Sequence, residues 1–286
     1  MDKIKSLVEA RKEFSTQHKC EEHLARMRWP NGVTCPRCGA KHPPYLQSRR
    51  QWQCKSCRYQ FSVTAGTVFH KTHIDLPRWM IALWLVCYSP KGVSSKQIQR
   101  ELGVTYKTAW YMTRRLRGAI QNAFRGITIQ GTVEIDEAVI RADGAGRPCG
   151  SAKYSAQDVL GMVSRDSGAL RLVVLERLWK VNIERVCSKT LKSVHTVYTD
   201  AAQRLMFLNQ YGKHVRINHY LGYGDGEAHV NTIESAWSLF KRGLLGVYHH
   251  VSAKHLQEYL DEFAFRWSNR HQKPAMMDLV LSSCAA

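Results

Sequence analysis

Two cysteine pairs constrain the fold of this chain more than any other feature of its sequence. Cys35-Pro-Arg-Cys38 and Cys54-Lys-Ser-Cys57 are separated by 15 residues, which is the spacing of a four-thiolate zinc site. A redox Cys-x-x-Cys motif is the alternative, but a second pair at this distance favours zinc. We expect the ion to be structural, because four thiolates leave no coordination position open for a substrate. It would also supply folding free energy that so small a module cannot obtain from apolar burial.

The positive charge of the chain is concentrated in its first half. Residues 1–130 contain 23 Lys and Arg against 7 Asp and Glu, whereas residues 131–286 contain 19 against 16. A basic segment joined to a nearly neutral one indicates a polyanionic partner. The nine cysteines are an odd number, which argues against a disulfide framework, and no apolar stretch is long enough to span a bilayer. We therefore expect a soluble, cytoplasmic protein without a membrane partner.

The stretch from residue 93 to residue 117 has the pattern of a helix-turn-helix motif. Gly103 permits a tight turn, and a second helix starting near Thr105 is expected to bury Ala109 and Trp110 at helical spacing. The first residues of such a helix contact bases in the major groove, and later arginines contact phosphates. The predicted DNA-binding residues are Thr105, Tyr106, Lys107, Tyr111, Arg114, Arg115 and Arg117. The alternative is a basic three-helix bundle that binds no ligand.

After residue 131 the hydrophobic pattern changes from helical to alternating. Strands are predicted near residues 132–140, 159–163, 170–175, 195–199 and 214–218. Helices are predicted over residues 181–192, 201–210, 229–244 and 253–269. This order of elements predicts a mixed α/β sheet covered by helices. The Gly-rich residues 220–228 predict a mobile loop.

Three acidic residues of the second half have positions that suit cation binding. Asp136 lies within a predicted strand, where a carboxylate is costly unless it is paired or holds a cation. Asp200 ends a later strand, and Glu234 lies on a predicted helix one turn after Asn231. Carboxylates that converge in this way can hold two Mg²⁺ or Mn²⁺ ions for phosphodiester chemistry. Spacing alone does not establish this set, and surface or salt-bridged acids are the alternative for each residue.

Several stretches together carry a family resemblance. They are residues 34–39 with 52–57, residues 60–69, 133–138 and 197–200, and residues 229–243 leading to 248–252. In these stretches and in the order of its modules, the chain resembles bacterial insertion-sequence transposases with an N-terminal zinc ribbon and a DDE catalytic domain. The resemblance covers roughly residues 15–271. It implies a ribonuclease-H-like catalytic fold, metal-dependent cleavage of the element's ends and joining of the freed 3′-hydroxyls to target DNA.

The resemblance also assigns roles to individual residues. It implies that Asp136, Asp200 and Glu234 are the catalytic acids and the ligands of Mg²⁺ or Mn²⁺, and that Asn231 assists or coordinates. Lys241 and Arg242 are expected to contact the DNA backbone near the site. The expected partners are double-stranded DNA and further copies of the chain assembled on it, in association with the nucleoid.

The expected domain organisation follows from these motifs. The predicted segments are an N-terminal helical segment over residues 1–32, a zinc ribbon over 33–70, a helix-turn-helix domain over 71–126, a DDE catalytic domain over 131–272 and a C-terminal tail over 273–286. Two other functions remain open at this point. One is a DNA-binding regulator with an inert catalytic domain, and the other is a metal-dependent nuclease that cuts without joining.

Overall fold

The computed structural model describes residues 4, 6–141, 156–217, 229–271 and 276–283. The chain divides into two compact units. The first unit comprises Met1–Ser89, Ser95–Ala123 and Gln272–Ala286, and the second comprises Pro90–Ser94 and Phe124–His271. None of the described helices is both long and apolar enough to cross a bilayer.

The described helices and strands follow the predicted order closely. The helices are α1 (Leu7–Glu13), α2 (Gln17–Arg28), α3 (Leu76–Tyr88), α4 (Ser95–Leu102), α5 (Tyr106–Ala123), α6 (Lys180–Thr190), α7 (Asn231–Gly243), α8 (Leu256–Ser268) and α9 (Met276–Ser283). The strands are β1 (Tyr45–Leu46), β2 (Gln51–Gln53), β3 (Gln60–Phe61), β4 (Ile129–Arg141), β5 (Ala156–Ser164), β6 (Leu170–Leu175), β7 (Leu191–Asp200) and β8 (Lys213–Ile217). The helix predicted over residues 201–210 is a 3₁₀ helix, Gln203–Gln210.

The first unit combines a small sheet with helices. Strands β1, β2 and β3 form an antiparallel sheet in that order. Helices α4 and α5 form the helix-turn-helix, and Gly103 between them has a φ of +63°, a left-handed conformation that suits glycine. Residues of the segment predicted as a tail form α9, which packs against α2, α3 and α5.

The second unit contains the mixed five-stranded sheet, whose strand order is β6-β5-β4-β7-β8. Strand β4 pairs with β5 in antiparallel and with β7 in parallel orientation, and β8 continues the parallel part. This architecture confirms the predicted mixed α/β sheet with helices. The loop predicted over residues 220–228 lies outside the described residues.

The two faces of the sheet bury different kinds of side chain. On one face, Val133 and Ile135 of β4 belong to a buried apolar cluster that includes residues of β5, α6 and the 3₁₀ helix. On the other face, Glu134 and Asp136 point towards α7, because side chains alternate along a strand. The apolar face stabilises the unit, and the acidic face is the one that concerns function.

Gly161 on β5 permits α7 to lie close to the sheet. A Cβ atom at this position would lie 2.6 Å from Cζ2 of Trp237 and 2.9 Å from Cδ1 of Ile233. We predict that Gly161→Ala lowers the free energy of unfolding by about 1–3 kcal/mol, since the helix must shift to accommodate the methyl group. Chemical denaturation monitored on the second unit measures this change.

Gly246 provides the matched control, because a Cβ atom there would meet nothing within 4 Å. Gly246→Ala should therefore change the free energy of unfolding by less than about 0.5 kcal/mol. Equal stabilities of the two variants would contradict the close approach of α7 to β5.

Candidate active site and zinc site

The four predicted zinc ligands converge on one point in the first unit. The Sγ atoms of Cys35, Cys38, Cys54 and Cys57 all lie within 4.8 Å of one another. Two of the separations are 3.7 Å for Cys35 and Cys57 and 3.5 Å for Cys38 and Cys54. A Zn–S bond of about 2.3 Å in a tetrahedral site requires S–S edges of about 3.8 Å. The thiols therefore fit a structural zinc ion.

The environment of these thiols favours ionisation of one of them. Backbone hydrogen bonding, chiefly from the N–H of Cys57, and bonds from neighbouring thiols lower the pKa of Cys54 to about 6. The pKa of Cys38 is raised to about 12: the Ala40 N–H lowers it, but the thiols of Cys54, Cys57 and Cys35 outweigh this effect. Zinc binding requires deprotonated thiolates, so a thiol with a lowered pKa suits a ligand of the ion.

Asp136 and Asp200 lie next to each other on the acidic face of the large sheet. The parallel register pairs Glu134 of β4 with Tyr198 of β7. Two residues farther along each strand, the register reaches Asp136 and Asp200, whose side chains point to the same face. The charge of Asp200 contributes to the raised pKa of Asp136, as expected for neighbouring carboxylates.

A completely buried carboxylate fixes the beginning of α7 on the same face. Glu134 is 0% exposed, and its Oε1 accepts hydrogen bonds from Nε of Arg165 at 2.7 Å and from Oγ1 of Thr232 at 2.9 Å. Its Oε2 accepts from the backbone N–H of Ile233 at 2.9 Å. Val230, which precedes the helix, provides no side-chain cap. Glu134 therefore caps α7 from a neighbouring strand.

Arg165 links this carboxylate to the residues around it. Its guanidinium donates to the backbone carbonyl of His229, lies 3.1 Å from Nδ1 of the same residue and sits 4.1 Å above the ring of Tyr198. An ion pair with so little access to water stabilises the structure only when its remaining polar atoms are bonded, as they are here. The network ties β4, β7 and the start of α7 together.

Trp237 attaches α7 directly to the candidate metal ligand. Its indole Nε1 donates a hydrogen bond to Oδ2 of Asp136 at 3.1 Å, and its ring lies over Gly161, the residue that pairs with Asp136 across the sheet. This bond fixes one carboxylate oxygen. Such outer contacts commonly orient the ligands of a metal site.

Glu234 and Asn231 are exposed on α7, and Glu234 lies one turn before Trp237. In the described parts of the chain, the four cysteines are the one group of three or more potential ligands found within 4.8 Å of one another. The structure thus brings Asp136 and Asp200 together and places Glu234 on the helix anchored beside them, but outside such a cluster. Its role as third ligand remains a prediction.

The second helix of the helix-turn-helix presents aromatic and basic side chains to solvent. Tyr106, Trp110 and Tyr111 are 48%, 41% and 39% exposed. Lys96, Arg114 and Arg115 lie 5.0, 5.4 and 5.3 Å from the centres of these three rings, respectively. Thr105 and Lys107 are also exposed. The predicted burial of Trp110 is therefore wrong, because this position of α5 faces outward rather than towards α4.

Two of the arginines predicted to contact DNA have other partners. Arg117 is 3% exposed, so its side chain does not reach a phosphate in this structure, and we leave it out of the proposed DNA-binding surface. Arg115 is half-buried and donates to the carbonyl of His70 at 3.2 Å. Lys241 and Arg242, at the end of α7, are exposed.

Comparison with known proteins assigns the chain to a family. Residues 128–268 match the ISXO2-like transposase domain, and residues 15–60 match the transposase zinc-ribbon domain. A protein of Halobacterium salinarum, described as an uncharacterized protein in transposable element ISH50, is 31% identical over 277 residues, which cover 89% of this chain and 92% of the relative. The chain belongs to the ISXO2-like transposase family.

Two solved structures are also similar to this transposase. A pre-cleavage Mos1 transpososome has 10% identity and a TM-score of 0.27, covering 71% of this chain and 78% of that one. The Mos1 strand transfer complex has 12% identity and a TM-score of 0.25, covering 71% and 77%. Similarity at this level carries no conclusion about this transposase.

Sequence reasoning missed the residues that hold the acidic face together. Glu134, Arg165 and Trp237 were not predicted as site residues. A signal for Glu134 was available, since the strand alternation puts it on the same face as Asp136, where an unpaired carboxylate would be costly. Nothing in the local sequence indicates that Arg165, 31 residues later, is its partner.

Partial removal from water makes the Asp136 carboxyl a source of instability for the folded state in the absence of a cation. Removal from water, together with the charge of Asp200, raises the pKa of its carboxyl from 3.8 to about 6, against the opposing hydrogen bonds from Glu137 and Trp237. When folding raises the pKa of an acid, ionisation of that acid lowers the free energy of unfolding of the protein. The folded state is therefore penalised as the pH rises from about 4 to about 6, and the penalty is complete at pH 7.

We predict that Asp136→Asn stabilises the protein at pH 7 in buffer without added divalent cations. The gain is at most about 3 kcal/mol, the equivalent of about two pKa units, and it should largely disappear at pH 4. Chemical denaturation at several pH values measures it. A difference between variant and wild type that stays constant from pH 4 to pH 7 would contradict the burial of this carboxylate.

Proposed function

We propose that the chain is an active DDE transposase, which cleaves the ends of its element and joins the freed 3′-hydroxyls to target DNA. The observation that carries this proposal is the adjacent pair Asp136 and Asp200, with a helix bearing Glu234 anchored beside them by Glu134 and Trp237. This arrangement occurs in a chain of the ISXO2-like transposase family.

Mg²⁺ or Mn²⁺ suits this set of side chains. Asp136, Asp200 and Glu234 would hold the ions, since both prefer carboxylate oxygens, and a cation would offset the burial of Asp136. When bound, two such ions activate the attacking oxygen and stabilise the leaving oxygen of a phosphodiester. Trp237 would keep one oxygen of Asp136 occupied and thereby orient the other. Asn231 is the proposed assisting residue.

The proposed reaction has two steps at phosphorus. Water first attacks the phosphodiester at each element end, so that a P–O bond to water forms, the bond to the 3′-oxygen breaks and a 3′-hydroxyl is released. This hydroxyl then attacks a phosphodiester of the target in line and displaces a 3′-oxygen there. The protein positions the strands, and no covalent enzyme intermediate is required. Lys241 and Arg242 are proposed to hold the DNA backbone nearby.

The proposed partner is double-stranded DNA, both the element's ends and the target. Exposed residues of the helix-turn-helix would contact it. They are Thr105, Tyr106, Lys107 and Tyr111 for bases and Arg114 for phosphates, with Arg115 contributing its half-buried guanidinium. Pairing of two ends calls for at least two protomers on the DNA. We infer a cytoplasmic, nucleoid-associated site of action because the substrate is genomic DNA.

A strand-transfer assay tests the proposal. Purified protein is mixed with a duplex carrying the gene's flanking ends, a target plasmid and Mg²⁺ or Mn²⁺. Wild type should give cleaved and joined products, whereas Asp136→Asn and Glu234→Gln should retain end binding and lose cleavage by at least about a hundredfold. Glu184→Gln is the matched acid-to-amide control, because Glu184 pairs with Lys180 on α6, which packs on the other face of the sheet.

Other outcomes separate the competing functions. End binding without cleavage by the wild type would contradict the proposal and favour a DNA-binding regulator. Cleavage without joined products would favour a nuclease. Wild-type activity in Glu234→Gln would remove Glu234 from the proposed ligands and leave the position to another group, with Asn231 the first to test.

A further inference from the structure

The zinc ribbon lies in the most one-sidedly charged part of the chain. Residues 23–74 contain nine Lys and Arg and no Asp or Glu. A zinc ion with four thiolates would carry a net charge of about −2, which leaves the segment strongly positive. Lys41, Lys55 and Arg58 of the ribbon are exposed. Such a net positive surface attracts a polyanion.

The two faces of the ribbon sheet differ in chemistry. Register pairs Tyr45 with Trp52 and Trp52 with Phe61, so that these aromatic side chains share one face. Trp52 and Phe61 of that face pack with the zinc-binding cysteines. The opposite face carries amide side chains, because Gln51 and Gln53 alternate with Trp52 along β2.

Amide groups of neighbouring strands lie side by side on this second face. Gln53 is paired directly with Gln60, and Nη1 of Arg49 donates to Oε1 of Gln60 at 3.0 Å. Among the described residues, the side-chain amides of Gln51 and Gln53 have no hydrogen-bond partner. We call Arg49, Gln51, Gln53 and Gln60 the amide face. All three glutamines are half-buried, and Arg49 is exposed.

The chemistry of the amide face matches the edges of base pairs. A glutamine amide both donates and accepts, and it bonds adenine in a bidentate manner, while arginine bonds guanine in the same way. The major groove of B-DNA admits a two-stranded β-ribbon. Neutral glutamines in an otherwise cationic module would add sequence preference to an attraction that charge alone makes non-specific.

The ribbon is held firmly to the helices of its own unit. Arg50 forms an ion pair of 2.7 Å with Glu21 of α2, and Arg28 of α2 donates to the carbonyl of Val63 at 2.7 Å. The ribbon and the helix-turn-helix therefore belong to one folded unit. Two DNA-contacting surfaces on one unit reinforce each other, since binding of one raises the effective concentration of the other.

We propose that the amide face is a second base-reading surface, which recognises the element's ends in duplex DNA together with the helix-turn-helix. Lys55 and Arg58 bind phosphates beside it. This inference rests on the proposed function, because it takes an element end as the ligand. The zinc site accounts for the folding of the ribbon, and the amide face would give the ribbon a role in sequence recognition.

The test compares the double variant Gln53→Ala/Gln60→Ala with wild type. Fluorescence anisotropy measures binding to a duplex of the gene's flanking end and to a scrambled duplex of equal length, at several salt concentrations. The variant should bind the end at least about tenfold more weakly and the scrambled duplex unchanged. The slope of log K against log salt should also stay unchanged, because no charge is lost.

Lys55→Gln/Arg58→Gln is the matched charge control. It should weaken binding to both duplexes and reduce the salt slope by about 1.8, the value for two lost phosphate contacts. Zinc content and thermal unfolding verify that each variant is folded. Unchanged end binding by the glutamine variant, or an equal loss on both duplexes, overturns the inference.

The same experiment distinguishes this inference from the proposed function. A wild-type preference for the end that survives in the glutamine variant overturns only the amide face as a reading surface. A wild-type protein that binds both duplexes equally overturns the proposed recognition of the element's ends as well.

Discussion

The acidic face of the large sheet depends on one buried carboxylate. Glu134 is completely enclosed and bonded through both oxygens to groups from β5's end and from α7. A buried carboxylate without such partners would destabilise the fold by several kcal/mol, so the helix and the arginine must occupy these positions. The start of α7, and with it the position of Glu234, is thereby set by a residue two positions before Asp136.

Two carboxylates on this face of β4, Glu134 and Asp136, affect the stability of the fold in opposite ways. Glu134 is satisfied by hydrogen bonds, whereas Asp136 has a single side-chain donor, Trp237, and a like charge beside it. A bound cation would offset this repulsion between like charges, as the proposed function requires. The glycine at position 161 adds to the arrangement by leaving room for the indole of Trp237.

Features that depend on local chemistry could be predicted from the sequence. The cysteine spacing predicted a thiol cluster, and alternation in residues 132–140 predicted strand β4, since both follow from neighbouring residues alone. The burial of Arg117, the exposure of Trp110 and the pairing of Glu134 with Arg165 could not be predicted. They depend on which side of a helix or strand meets another element, and a shift of about one residue in helical phase reverses such an assignment.

Hydrogen exchange of the first turn of α7 tests the central role of Glu134 most directly. In Glu134→Leu, a side chain of similar size removes both acceptor oxygens, so the N–H of Ile233 loses its acceptor. The account predicts that the Ile233 amide exchanges at least about tenfold faster in the variant, while amides of the β4–β5 ladder keep their protection. Equal exchange of Ile233 in both proteins would contradict it.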